Sequence, residues 1–401
     1  MSRIKIRNFG PIRDGFVDND GWMDISKVTV FIGNQGSGKS TVAKLISTLS
    51  WIEKDLFRSV GSTLRFRKQE RIFMKYLEYH RIDSYLKDNT EIQYEGEAYK
   101  INYKPGGPLV IQELGPDYIL PKITYFPAER NFVSSVKKSR SGQRLTLWSQ
   151  SLQEFKETFQ EAKEAFKEKE TFHLPISNVD LEYNKLNDIL YVKGPDYKIQ
   201  LADSASGFQS FVPLFVVANY VSKLLENEQE MDEQQRDTFK RESAIIINNK
   251  TYTEEQKRIL LSNLASQFNI KRTLNIIEEP EQNLFPTSQQ KAMHFLLACN
   301  SAAKENKLII STHSPYILTA LNNSILAAEV YEKTGKTIDA YSPEKRVAFA
   351  DVAAYQFEDG RIVSIKDRDT KLINAEAIDS CSAEINSDFD ALLDLLPEND
   401  D

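Results

Sequence analysis

The 401-residue chain carries 51 Lys and Arg against 58 Asp and Glu, a net charge of −7, and its 41% hydrophobic residues suffice for one large domain or two ordinary ones. Two cysteines, Cys299 and Cys381, lie far apart without Cys-x-x-Cys spacing, which excludes a disulfide framework and fits a reducing compartment. Residues 1–6 lack the apolar core of a secretory signal and the longest nearly apolar run, 211–218, is too short to cross a bilayer, so a soluble, cytoplasmic protein is expected.

In chain order, Ile4-Lys5-Ile6 opens a strand that leads into the turn-rich segment Arg7-Asn8-Phe9-Gly10-Pro11-Ile12. The apolar, β-branched run 28–32 is the next strand. It is followed by Gly33-Asn34-Gln35-Gly36-Ser37-Gly38-Lys39-Ser40, and then by an amphipathic helix carrying Thr41, Val42, Leu45, Ile46 and Leu49. Gly33, Gly36 and Gly38 let the backbone take positive φ and close around an anion, so that successive N–H groups and the helix N-terminus point at nucleotide phosphates. Lys39 adds a full charge, and Ser40 offers the hydroxyl that a nucleotide-bound Mg²⁺ takes as an oxygen ligand.

Between residues 54 and 81 basic residues alternate with aromatics. Such a stretch can bind nucleic acid, but it reads more readily as an amphipathic helix with its aromatics in the core. Residues 91–111 read as a strand pair and 123–126 as a further strand ending in Pro127-Ala128-Glu129-Arg130-Asn131. Lys137, Lys138, Arg140 and Arg144 lie among serines as a mobile basic loop. Residues 152–170 form a charged helix, and 181–200 two short strands around Gly194-Pro195.

Ser204-Ala205-Ser206-Gly207-Phe208-Gln209 opens an apolar helix, and a Ser-Gly pair at a helix start is a second anion site. Pro213 must kink that helix or mark its true first turn. The polar stretch 224–268 reads as a helical insertion. The strand 273–277 then stops in Glu278-Glu279-Pro280-Glu281, at the strand edge where α/β proteins place ligands. Glu278 suits the Mg²⁺ shell, and Glu279 the orientation or deprotonation of an attacking water. A third strand, 307–310, ends in Ser311-Thr312-His313-Ser314-Pro315, where the imidazole can hydrogen-bond the γ-phosphate or the water. Nine acids and no Lys or Arg follow Lys371, so an acidic tail interleaved with Phe389, Leu392, Leu393, Leu395 and Leu396 hangs on a body of about +2.

This order of motifs resembles the ABC-type ATPases of the RecF, Rad50/SMC and OLD group, whose first strand is likewise followed by an Arg-Asn-Phe turn. The resemblance rests on residues 1–50 and about 200–320. It implies an α/β fold: a P-loop ABC-type ATPase head, a mixed sheet with flanking helices, plus helical insertions. The core is expected at 1–50 and 200–370 with the strand at 120–131. A lobe of antiparallel strands and helices takes 51–199, the insertion 224–270 and the tail 372–401. The resemblance further implies that ATP and Mg²⁺ are bound by Gly33, Asn34, Gly36, Ser37, Gly38, Lys39, Ser40 and Thr41, with Arg7 and Asn8 beside them. Ser40 and Glu278 are the implied metal ligands and Glu279 and His313 the catalytic groups. Two copies would sandwich two nucleotides, Ser206 and Gly207 completing the partner's site, in a dimer or larger ring. Phe208 departs from the group's usual Gly. Gln143 and Gln150 are candidates for its glutamine loop, with Arg130 as a stand-in.

Transporter ATPases place signature and acidic strand about twenty residues apart, whereas about seventy separate Gln209 from Glu278 here. Asn184-Lys185-Leu186-Asn187 mimics a guanine-recognition motif without its aspartate, and Asp388-Phe389-Asp390 is a lone match to the Toprim nuclease domain that OLD enzymes carry. Finer similarity, in the Pro-Ala-Glu-Arg-Asn, Ser-Gly-Phe-Gln-Ser and Glu-Glu-Pro-Glu-x-x-Leu-Phe-Pro runs, is to the AriA family of ATPase subunits of bacterial PARIS phage-defence systems. That implies a sensor or scaffold for a separately encoded effector, a Toprim-type nuclease such as AriB, answering a phage trigger protein. The alternative is a RecF-like clamp on DNA through 54–81 and 137–144. No membrane partner is expected.

Overall fold

The computed structural model describes residues 2–58, 69–115, 118–135, 148–166, 171–225, 233–249, 252–253, 256–257, 260–261, 264, 270–374 and 387. In chain order the elements are β1 (Ser2–Arg7), β2 (Gly15–Phe16), β3 (Met23–Ile25), β4 (Val28–Gly33), α1 (Lys39–Arg58) and α2 (Gln69–Tyr79), then β5 (Glu91–Glu95), β6 (Tyr99–Tyr103), β7 (Val110–Glu113) and β8 (Pro121–Phe126). There follow α3 (Phe132–Ser135), α4 (Gln150–Glu164), β9 (Thr171–His173), β10 (Asp180–Asn184), β11 (Ile189–Lys193), β12 (Lys198–Gln200), α5 (Ser206–Lys223) and α6 (Glu233–Asn248). The last are β13 (Arg272–Glu278), α7 (Pro286–Ser301), β14 (Lys307–Thr312), α8 (Pro315–Thr334), β15 (Val352–Glu358), β16 (Arg361–Ser364), β17 (Lys366–Asp367) and β18 (Leu372–Ile373).

The central sheet has seven strands in the order β2-β16-β15-β4-β14-β13-β8. It is mixed: β8, β13, β14, β4 and β15 pair in parallel, while β16 runs antiparallel to β15. All seven residues of β13 and the first five of β4 are buried, as expected of strands covered on both faces. Ile276, Ile309 and Phe31 share one apolar core with Val42, Leu45, Ile46 and Leu49 of α1 and with Ile4, Ile6, Ile92 and Ile101 of a second sheet, the antiparallel β3-β1-β5-β6-β7. On the other face α4, α5, α7 and α8 and the four-stranded sheet β12-β11-β10-β9 form a second core.

Because α1 is wedged between two sheets, its burial exceeds the stripe 42, 45, 46 and 49 and takes in Glu53 and Lys54. Glu53 accepts the N–H groups of Glu97, Ala98 and Tyr99 and the Tyr94 hydroxyl at 2.7–3.2 Å. A four-fold accepted carboxylate of this kind tolerates burial.

Several expectations change. Residues 91–111 belong to three strands, and 181–200 to three, with turns at both Asn184–Asp188 and Gly194–Tyr197. The span 51–199 is not one unit: β5 pairs directly with β1, and β9–β12 form a sheet of their own. Period-two alternation marks a half-buried strand but carries no information about which strand it joins. In the 54–81 stretch Lys54, Phe73, Leu77 and His80 are buried, as in an amphipathic helix with its aromatics in the core, while Arg71, Lys75 and Arg81 are exposed. Asn184 Oδ1 accepts the Leu186 and Asn187 N–H groups, so the guanine-like motif is a hairpin turn. Residues 137–144 and 388–401 lie outside the described residues.

His80, 2% exposed, is stacked between Tyr79 and Tyr125, and burial followed by the charge of Lys44 pushes its pKa down to about 3. The unfolded chain binds this proton below about pH 6.5 and the folded chain does not, so stability is complete above that pH and falls as pH drops toward 3. We expect His80→Phe to flatten the urea-measured stability profile between pH 6.5 and 4 by about 1.4 kcal/mol per pH unit.

Candidate functional site

The parallel register brings the C-terminal ends of four strands to one edge: Thr312 lies beside Ile32, Glu278 beside Ser311 and Ile277 beside Phe126. At that edge β4 passes through residues 33–40 into α1. Gly33, Gly36 and Gly38 take φ of 147°, 75° and 107°, the region that favours glycine. A Cβ at Gly38 would sit 2.5 Å from Ile12 Cδ1, so the turn after β1 is seated directly on the phosphate loop. Within that turn Asn8 takes φ 52° and donates its side-chain amide to the Asn89 carbonyl at 3.2 Å, while Arg7 is exposed. Lys39 folds over the loop, its Nζ donating to the carbonyls of Gly33 and Asn34 at 2.6 and 2.8 Å. Burial lowers its pKa; the carboxylates of Glu279, Glu281 and Glu278 oppose that shift. Ser40 and Thr41 follow in the first turn of α1, and Ser37 Oγ is buried with no partner among the described residues.

Glu278 is 3% exposed; its Oε2 accepts the Ala128 N–H at 3.1 Å, and its Oε1 is buried with no partner among the described residues. Glu279 takes φ 44°, an unfavourable backbone state for a non-glycine residue, and its N–H is held by the Ser311 carbonyl at 2.8 Å. Its pKa is raised by burial and by Glu281 and Glu278, against the pull of His313. His313 Nδ1 lies 3.9 Å from Glu279 Oε1 and 3.7 Å from Glu281 Oε1. The loop lysine, three carboxylates and the histidine are thus one electrostatic cluster.

Ser206 is exposed at the start of α5, and Gly207 allows a close approach: a Cβ there would meet the Asn283 carbonyl at 2.8 Å. Asn283 also donates to Ser210 Oγ at 3.0 Å, which ties this helix start to the turn after Glu279. Pro213 does not begin the helix but lies inside it. Having no N–H, it leaves the Gln209 carbonyl four residues back free, and the Ser134 hydroxyl donates to that carbonyl at 2.7 Å.

Arg130 joins these parts. It is 0% exposed, and its guanidinium donates to the carbonyls of Ser210, Pro127, Glu278 and Glu279 at 3.1, 3.2, 2.6 and 2.6 Å. Burial lowers its pKa to about 10, opposed by Glu281, Glu279, Glu278 and Glu129. This corrects its reading as a stand-in for the glutamine loop, because the side chain faces backbone and not an open site. Gln150 likewise sits on α4, one residue past the Ser149 cap, and Gln143 lies outside the described residues.

Sequence reasoning passed over Glu281, Asn283, Gln289 and the seating of Pro11 and Ile12. The third acid of Glu-Glu-Pro-Glu was the one available signal for any of them. Among the described residues no group of three or more His, Cys, Asp or Glu suits a metal by itself. A Mg²⁺ held through Ser40, Glu278, phosphate oxygens and water does not require one, and the orphaned Glu278 Oε1 fits that donor set.

Residues 28–319 match the family described as "AAA domain, putative AbiEii toxin, Type IV TA system". The chain belongs to this family. Its phosphate loop, acidic strand and histidine motif all fall within the matched region, and its core is a P-loop ATPase-type domain. No curated protein matches the chain. Among solved structures it is similar to an SMC head bound to the C-winged helix domain of ScpA, at 11% identity over 92% of this chain and 98% of that one with a TM-score of 0.40. It is similar also to the SMC head domain from Thermotoga maritima, at 10% identity over 90% and 97% with a TM-score of 0.35. No described helix is long and apolar enough to cross a membrane.

Arg130→Ala orphans several buried carbonyls at once, so a loss of about 3–5 kcal/mol in urea unfolding is expected, and Arg130→Lys should recover less than half of it.

Proposed function

We propose that this chain binds and hydrolyses ATP as an ABC-type ATPase, assembles with further copies of itself through shared nucleotide sites, and controls a separately encoded effector in bacterial phage defence. The observation that carries the reading is the convergence of Lys39, Glu278, Glu279 and His313 at one sheet edge, with the Ser206-Gly207 helix start tied to the same turn through Asn283. The loop N–H groups and Lys39 hold the phosphates, and Ser40 and Glu278 hold Mg²⁺, which when bound neutralises charge on the phosphate oxygens. Glu279, its pKa raised, orients the attacking water or accepts its proton, and His313 donates or accepts a hydrogen bond beside it.

Self-assembly is supported by what surrounds this edge. Phe132, Phe285 and Tyr316 are 55%, 73% and 50% exposed on the segments that follow Arg130, Glu281 and His313, and Ser206 is exposed as well. Exposed aromatics on the segments that follow these motifs are the residue type that contact surfaces use. The effector role is supported by the resemblance to PARIS ATPase subunits and by the toxin system in the family's description. A clamp on DNA through 54–81 would rest on Arg71, Lys75 and Arg81, which are exposed, and not on Lys54, which is buried.

Lys39→Ala should weaken ATP binding by about 100-fold, measured by calorimetry. Glu279→Gln should bind ATP normally, hydrolyse it about 10²–10⁴-fold more slowly and accumulate as a closed assembly in light scattering. A Glu279→Gln protein that stays monomeric at saturating ATP would sink the shared-site reading. Purification of the tagged chain from its host with and without ATP tests the effector: no stable companion in either condition removes that part.

A further inference from the structure

Beyond its charge, which helps raise the pKa of Glu279, Glu281 has no role in the chemistry above, yet it is only 6% exposed. One of its oxygens, Oε1, accepts both the Thr312 hydroxyl at 2.7 Å and the His313 N–H at 3.0 Å. Thr312 Oγ1 in turn accepts the Ser314 N–H at 3.0 Å. The Ser314 hydroxyl donates to Gln289 Oε1, and Gln289 Nε2 donates to the Leu284 carbonyl at 2.9 Å. Leu284 N–H returns to the Glu281 carbonyl at 2.9 Å, which closes a ring.

The ring runs from the carboxylate turn to the end of β14, across to α7 and back to the same turn. Thr312, Ser314 and Gln289 are all buried, so water does not compete for these bonds. The imidazole of His313 projects from the one backbone segment the ring holds, 3.9 Å from Glu279 Oε1. We propose that Glu281 is a positioning residue: by accepting two hydrogen bonds on one oxygen it sets His313 against Glu279. This positioning by acceptor geometry is separate from the carboxylate's charge, which acts on Glu279 and lies 3.7 Å from His313 Nδ1.

This rests on the ATP-hydrolysis reading, so the test pairs turnover with a measurement that needs no nucleotide. In the full-length protein, Glu281→Gln keeps an acceptor oxygen, Glu281→Ala removes it, and Thr312→Val removes one donor. We expect Glu281→Gln, which loses the charge but keeps the acceptor, to lose less than about tenfold in kcat, and Glu281→Ala and Thr312→Val to lose about 30–100-fold in kcat with KM within about threefold. Because the two residues share one bond, while Thr312 Oγ1 also accepts the Ser314 N–H, the double variant should lose less in kcat than the product of the two single losses. The chain has four histidines. Side-chain ¹⁵N resonances of His313, assigned with His313→Asn, should therefore be resolvable without nucleotide; they should move less in the Gln variant than in the Ala and Val variants.

Wild-type kcat and unmoved His313 resonances in Glu281→Ala overturn the proposal, as does a Gln variant as slow as the Ala one. If Glu281→Ala does not fold, Thr312→Val decides by the same two readouts. If the wild type turns over no ATP while the resonances shift as expected, the hydrolysis reading falls and the positioning role stands.

Discussion

One fully buried guanidinium organises the functional edge of this molecule. A charged group removed from water must find a partner for its N–H donors, and Arg130 finds four carbonyls on three separate segments. Those segments are the end of β8, the carboxylate turn after β13 and the first turns of α5. Their mutual positions are therefore linked: Glu279 cannot leave its strained φ of 44° without releasing a 2.6 Å bond, and α5 cannot slide without losing the Ser210 contact. The unusual backbone of the carboxylate turn is held by the same side chain that anchors the Ser-Gly helix.

The proline inside α5 belongs to this arrangement. A helix normally consumes its own carbonyls, leaving none for neighbours. Pro213 frees the Gln209 carbonyl, and Ser134 takes it, while Arg130 takes the next carbonyl, that of Ser210. The α3 segment thus docks on α5 through a backbone acceptor that an uninterrupted helix would not offer, beside the carbonyl that Arg130 reaches. What looks in the sequence like a defect in a helix acts as a docking point for another element.

At the opposite edge of the central sheet a different charge network holds the layers together. Glu97, from the β5–β6 turn, meets Arg272 at 2.7 Å and Lys307 at 3.1 Å, at the starts of β13 and β14. Burial opposes ionisation of Glu97, but the two cations outweigh it and keep its pKa below the usual carboxylate value. The antiparallel sheet is thereby fixed to the strands whose far ends carry Glu278 and Thr312. Rigid strands clamped at one end present their catalytic ends at the other with little freedom to separate.

The residues proposed to bear the chemistry could be picked out in the sequence because their constraints are local. Gly33, Gly36 and Gly38 are required by the φ of a single loop, and Glu278, Glu279 and His313 each follow an apolar run that can only be a buried strand. The P-loop ATPase class and the central strands were legible on the same grounds. Strand partnership was not: β1 joined β5 and left the phosphate-loop strand in another sheet, since alternation specifies a face and never a neighbour. Nor were the roles of Arg130, Asn283 and Glu281, whose partners lie 80, 73 and 31 residues away. A buried polar side chain is defined by which carbonyl or hydroxyl it reaches, and that pairing comes into being only when the strands have been brought together.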